Sequence, residues 1–212
     1  MKKVKDHYFH KAKRNGYVAR SAYKLEEIDK KHGIIRKGNF VLDLGCSPGS
    51  WLQYASRKVG EEGEVLGVDL QPVNHSLPAH VKVLQADIFE LSAKDLEMSG
   101  GMVDVILSDM APKTTGIRAT DAQRSYALNQ QVLQLAEELL RPQGMLLVKA
   151  FQGAPLGELR NAFRNSFAKV KLCKPKSSRS ESVEIFLLGM GKKQNKGTSK
   201  NWISINLCLF LR

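Results

Sequence analysis

Between residues 40 and 148, apolar residues fall into short runs: Phe40 to Leu44, Val65 to Val68, Val81 to Leu84, Val103 to Leu107 and Met145 to Val148. Each run has strand length, and most are followed by a stretch whose apolar positions recur every three or four residues, as on one face of a helix. Trp51 to Val59 is such a stretch and stops at Gly60, a suitable C-cap. The longer Asp121 to Leu140 sets Leu128, Val132, Leu135 and Leu139 at helical spacing before Pro142 and Gly144 end it. This alternation predicts an α/β fold, a mostly parallel sheet with helices on both faces and ligands beyond the carboxyl ends of its strands. Upstream, Ser21 is placed to cap a short helix with Ala22, Leu25 and Ile28 on one side and Lys24 on the other. Downstream, Leu156 to Phe167 reads as a helix and Val183 to Leu188 as a last strand, while Gly191 to Lys200 has the composition of a flexible linker.

Size and charge narrow the class. A chain of 212 residues, 42% of them hydrophobic, is one domain's worth and can bury a full core, which excludes a disordered chain and a disulfide-stapled miniprotein. Cys46, Cys173 and Cys208 are odd in number and lack zinc spacing, so a reducing compartment and no metal are expected. The longest uncharged apolar run, Trp202 to Leu211, is half of the ~20 residues a membrane span needs. The N-terminus has no apolar signal region, so a cytoplasmic protein away from membranes is expected; a monomer is expected as well. The net charge of +12 has a geography: residues 1 to 40 carry 12 basic and 4 acidic groups, residues 171 to 200 carry 8 and 2, and residues 41 to 170 carry 12 and 15. Basic ends suit a polyanion such as RNA, and an acidic centre suits a small cation. Candidates for phosphate contact are Lys11, Lys13, Arg14, Arg20, Lys174, Lys176 and Arg179, with Tyr8, Tyr17 and Tyr23 interleaved as residues that either stack on bases or pack in the core.

The chemistry gathers at the predicted strand ends. Asp43-Leu44-Gly45-Cys46-Ser47-Pro48-Gly49-Ser50-Trp51 is a tight turn into a helix, where glycines let the backbone approach a nucleotide-like ligand, although GxGxxG is absent. Asp69 ends the second run and Asp87 follows the third, positions from which a carboxylate meets ribose hydroxyls and an adenine amine. Together with Asp43 they suit the sulfonium of S-adenosylmethionine, whereas each aspartate alone is an ordinary turn residue. Lys149 ends an apolar strand, where it either snorkels to solvent or serves as a base, and the parallel strand before it ends in Asp109. Glu184, inside the last apolar strand, needs a cation nearby.

These pieces resemble the FtsJ ribosomal RNA 2′-O-methyltransferases. The matching segments are Arg20-Ser21-Ala22-Tyr23-Lys24-Leu25, Asp43-Leu44-Gly45 with Pro48-Gly49 and Trp51, Val68-Asp69-Leu70, Ser108-Asp109-Met110-Ala111-Pro112, Val148-Lys149 and Val183-Glu184-Ile185-Phe186, all in the family's order. The resemblance spans roughly residues 5 to 190. It implies a catalytic tetrad at Lys24, Asp109, Lys149 and Glu184, and S-adenosylmethionine contacts at Gly49, Trp51, Asp69, Asp87 and Asp109. It also implies a Rossmann-like, seven-stranded methyltransferase sheet with one antiparallel strand near the C-terminus. Cys46, Ser47 and Ser50 replace the small residues usual in the family's loop. Residues 1 to 192 would form the methyltransferase domain. Residues 193 to 212, a basic linker and an apolar tail, match nothing in the family.

The implied reaction is methylation of a ribose 2′-hydroxyl in RNA, a uridine of the large-subunit ribosomal RNA within the 50S subunit. Lys149 would be the base if neutral, with Asp109 orienting it and Lys24 and Glu184 positioning the ribose, the two lysines weakening each other's hold on a proton. A solvent water, or a lysine that only steers the hydroxyl, would carry the same signature. A transfer RNA 2′-O-methyltransferase, and a noncatalytic RNA-binding or ribosome-assembly module, are the alternative readings. A nicotinamide oxidoreductase is disfavoured by the missing GxGxxG.

Overall fold

A computed structural model describes residues 7–96, 101–153, 155–179 and 182–194. The predicted alternation is present as seven strands in one sheet: β1 Phe40–Leu44, β2 Glu64–Asp69, β3 Val81–Gln85, β4 Val103–Ser108, β5 Leu140–Phe151, β6 Phe167–Cys173 and β7 Glu184–Lys192. They lie in the order β3-β2-β1-β4-β5-β7-β6. The first five pair in parallel, and β7 runs antiparallel to both neighbours.

Helices α1 His7–Arg14, α2 Ala22–His32, α3 Ser50–Val59, α4 Arg118–Leu139 and α5 Pro155–Ser166 surround the sheet, with a 3₁₀ turn at Ala93–Leu96. Alternate residues of each central strand feed two separate cores. Leu42, Leu44, Ile106, Leu146 and Val148 pack with Val132, Leu135 and Phe163 of α4 and α5. Val41, Val105, Leu107, Leu147, Phe186 and Leu188 pack with Leu25, Ile28, Trp51 and Leu52 of α2 and α3. Two buried faces explain why these strands read as continuous apolar runs.

Three expectations change. Strand β6 went unseen because Phe167-Ala168-Lys169-Val170-Lys171-Leu172-Cys173 is an edge strand, largely exposed on both faces, so it has no apolar run. The last helix therefore stops at Ser166, and Phe167 opens the strand instead. Ser21 does not cap α2 with its side chain; its backbone is already helical and its hydroxyl sits 2.7 Å from that of Ser50, tying α2 to α3. The short α1 was not expected at all. Gly60 does cap α3, its N–H donating to the Ser56 carbonyl. The apolar tail Trp202 to Leu211, Cys208 and most of the linker lie outside the described residues. Among the described residues no helix is long and apolar enough to cross a membrane, and no group of His, Cys, Asp and Glu is arranged to hold a metal ion.

Candidate active site

Strand parity assembles the site. Val105 and Leu107 of β4, and Leu147 of β5, face the core under α2 and α3, so Asp109 and Lys149, two residues further along, emerge on that same face. In β7, Phe186 and Leu188 face it too, and Glu184 follows the same alternation. The antiparallel register sets Phe186 opposite Lys149 and Glu184 opposite Phe151. Helix α2 lies over this face and contributes Lys24.

The four ionisable side chains form one chain of contacts. Lys24 Nζ donates to Glu184 Oε2 at 2.7 Å. Glu184 Oε1 lies 3.7 Å from Lys149 Nζ, and Lys149 Nζ lies 3.0 Å from Asp109 Oδ1 while also donating to the Asp109 carbonyl. Asp109 Oδ1 accepts no hydrogen bond of good geometry, so it keeps capacity for a ligand. Burial pushes the Glu184 carboxyl up, but the Lys24 hydrogen bond and the charges of Lys24 and Lys149 together hold it below its ordinary value. Glu184 thus has the cation its sequence context demanded, in fact two. The Glu184 carboxylate lies between the two lysines, one oxygen toward each.

Lys24 also corrects the picture of a residue on the outer side of its helix. It is buried, and its ammonium stands 5.8 Å from the centroid of the Phe186 ring. Asn129 of α4 was not anticipated: its amide donates to the Lys149 carbonyl at 3.0 Å and to Ser125, which fixes the backbone that carries the lysine.

The glycine loop lies next to this cluster at the end of β1. Gly45 has φ 81°, and a Cβ there would stand 2.4 Å from Met110 Cγ, so only glycine lets the loop pack against the segment after Asp109. Asp69 accepts the N–H of Ser47 at 2.9 Å and of Gln71 at 2.8 Å, tying the end of β2 to the loop and leaving further lone pairs on each oxygen. Asp87 accepts the Phe89 N–H at 3.0 Å and is half-buried. The indole of Trp51 is committed elsewhere: it is buried, donates to the Ser21 carbonyl at 2.9 Å and packs against Phe186. What Trp51 can offer a ligand is its main chain in the first turn of α3.

Asp43 completes the acidic side. It is fully buried, neither carboxylate oxygen has a hydrogen-bond partner among the described residues, and desolvation followed by the charges of Asp109 and Asp69 raises it well above the usual carboxylate range. Three neighbouring carboxyls, one of them orphaned, fit a ligand that brings positive charge and hydroxyl donors.

Comparison with known proteins gives the family. The model of the FtsJ-like methyltransferase family matches residues 17–192. The chain is 48% identical over 188 residues to the ribosomal RNA large subunit methyltransferase E of Syntrophobacter fumaroxidans, covering 88% of this chain and 95% of that one. It is 49% identical over 192 residues to the protein of that name from Bdellovibrio bacteriovorus, covering 89% and 97%. A solved Plasmodium falciparum structure assigned as a ribosomal RNA methyltransferase superimposes with a TM-score of 0.73 at 27% identity, covering 83% of this chain and 98% of that one.

Proposed function

Because this chain belongs to the FtsJ-like methyltransferase family, we propose that it transfers a methyl group from S-adenosylmethionine to a ribose 2′-hydroxyl of RNA, namely a uridine of large-subunit ribosomal RNA in the 50S subunit. The observation that carries this reading is the unbroken run of contacts from Lys24 through Glu184 and Lys149 to Asp109, set beside the glycine loop. The names of the two bacterial relatives support the substrate class.

The residues that would hold the cofactor are Asp69, Asp87, Asp109 and the main chain of Gly49 and Trp51. When bound, S-adenosylmethionine supplies a methyl group on a positively charged sulfur that departs as a neutral thioether. A ribose hydroxyl is a weak nucleophile, so the protein's contribution is to align it and give its proton somewhere to go. Lys149 Nζ is the atom assigned to take or steer that proton. Asp109 fixes the direction of the amine through both its carbonyl and its carboxylate. Glu184 links Lys149 to Lys24, which leaves Lys24 placed to contact the ribose with its charge balanced.

The rim of the site suits a polyanion. Lys13 and Arg14 of α1, and Lys176 and Arg179 before β7, are exposed. The Glu27 carboxylate accepts the N–H of Lys176 at 2.7 Å and of Ser177 at 3.0 Å, which pins that basic loop onto α2. Arg20 is held below its ordinary value by burial and then by the charge of Arg179, which places two guanidinium groups near each other close to Glu184. Phosphates would relieve that repulsion. Lys174 has an internal task instead, donating to the carbonyls of Ser182 and Glu184. Tyr23 belongs to the core, with Tyr8 and Tyr17 packed around it at centroid distances of 5.6 and 5.7 Å, so this cluster joins α1 to α2.

The test is methyl transfer from labelled cofactor to large ribosomal subunits, naked ribosomal RNA and transfer RNA. Incorporation into subunits is expected. Subunits that accept no label while transfer RNA does would sink the substrate assignment.

A further inference from the structure

One buried polar atom near the site has no task. His75 lies in the connection after β2, and its Nδ1 is 3.0 Å from the carbonyl oxygen of Ser76. A carbonyl can only accept, so Nδ1 is the donor here, and in the tautomer protonated at Nδ1 alone Nε2 is a bare acceptor. That Nε2 is buried and has no hydrogen-bond partner among the described residues. Buried polar atoms in folded proteins nearly always have one. The atom sits on the glycine loop: a Cβ added to Gly49 would stand 2.3 Å from Nε2 and 3.1 Å from Val73 Cγ1. The Gly49 N–H does not serve it, being donated to the Cys46 carbonyl at 2.7 Å. Gly49 also has φ 106°, so both its backbone and its missing side chain are needed to let the ring reach the loop.

On the reading of the Gly45–Gly49 loop as the S-adenosylmethionine site, we propose that His75 is a further cofactor-binding residue. Its Nε2 accepts a hydrogen bond from a donor on the cofactor. Three groups on that molecule can donate, the adenine amine, a ribose hydroxyl and the α-ammonium group. The sequence signal was slight, a lone histidine in Pro72-Val73-Asn74-His75-Ser76, and only the packing against Gly49 distinguishes it.

The experiment is calorimetric titration of the full chain with S-adenosylmethionine and with 5′-methylthioadenosine, which keeps the ribose and lacks the amino-acid moiety. His75→Ala is expected to raise the Kd for S-adenosylmethionine about three- to tenfold, the share of one hydrogen bond. His75→Phe, which fills the same space without an acceptor, should show the same loss even if the alanine variant folds poorly. His75→Gln, which restores an acceptor, should recover part of it. A loss seen with both ligands supports a contact to the nucleoside, through the adenine amine or a ribose hydroxyl, and a loss confined to S-adenosylmethionine supports one to the ammonium group. Unchanged or tighter binding in His75→Phe, with wild type binding normally, overturns the assignment of His75 alone. Wild-type protein that binds neither ligand overturns the cofactor reading and the role of His75 with it.

Discussion

Asp104 enters β4 at the amino end of the sheet, and Asp43 sits near the carboxyl end of the adjacent β1; their exposures are 5% and 0%. Burial is therefore the same, but the surroundings are not. Asp104 accepts the Phe40 N–H at 2.7 Å and is ion-paired with Arg141, whereas Asp43 has no hydrogen-bond partner at all among the described residues. The amino end even has a roomy cleft of about 320 Å³, lined by Arg36, Asn39, Asp104 and Arg141, and there the buried acid has a counter-charge in Arg141, although its Oδ1 accepts no hydrogen bond of good geometry either. At the carboxyl end, Asp43 and the Nε2 of His75 are left without hydrogen-bond partners among the described residues, and the Lys24–Glu184–Lys149–Asp109 cluster stands next to them. The difference is the counter-charge: Arg141 pairs with Asp104, whereas the charges bearing on Asp43 are those of two further carboxylates, Asp109 and Asp69.

Three substitutions test that contrast. The largest effect is expected from Lys149→Ala, which should lower the methylation rate by about a hundredfold or more, in the range of a lost acid–base group. Thermal melting of the same variant checks that the fold survives. At the opposite end, Asp104→Asn should leave the rate constant intact and cost about 1 kcal/mol of stability in denaturant unfolding, since it weakens a charged acceptor and removes the partner of the half-exposed Arg141. A loss of rate with unchanged stability would erase the distinction between the two ends.

Asp43→Asn gives the smallest shift and the opposite sign. Burial keeps Asp43 protonated in the cofactor-free folded chain to a pH where the unfolded chain has already released its proton. Wild-type stability therefore declines as pH rises above about 4, the ordinary carboxylate range, and stops declining once Asp43 ionises in the folded state. The asparagine variant lacks that decline. It should be the more stable protein at neutral pH and lose the advantage below about pH 4, as followed by melting temperature across a pH series.

Much of this was legible in the chain before any coordinates. Strand runs buried on both faces announce themselves, and the ionisable residues that interrupt or end them, Asp109, Lys149 and Glu184, stand out because a charge there needs a reason. That Asp109 and Lys149 share one end of the sheet was legible too, and the resemblance implied the full tetrad, but the geometric basis of their convergence was not. It follows from the parity that places residues 105, 107 and 109 on one face, and from the antiparallel entry of β7, which brings Glu184 back to Lys149. Lys24 was placed opposite the apolar side of α2, and helical periodicity could not show that this position is buried as well, against Glu184 and Phe186. Strand β6 was missed because an edge strand with Lys169 and Lys171 lacks the apolar signature. Asn129 and His75 carry no local motif; each acquires meaning only from a backbone carbonyl or a glycine distant in sequence.

The central claim is that the tetrad directs a methyl group onto a ribose hydroxyl. Alkaline hydrolysis of ribosomal RNA labelled by the wild-type protein tests it most directly, because a 2′-O-methyl group removes the nucleophile that cleaves the adjacent phosphodiester. The label is predicted to appear in alkali-resistant dinucleotides containing uridine, and to be absent with Lys149→Ala. Label recovered in mononucleotides, as from a methylated base, or unchanged dinucleotide label with Lys149→Ala, would contradict the account.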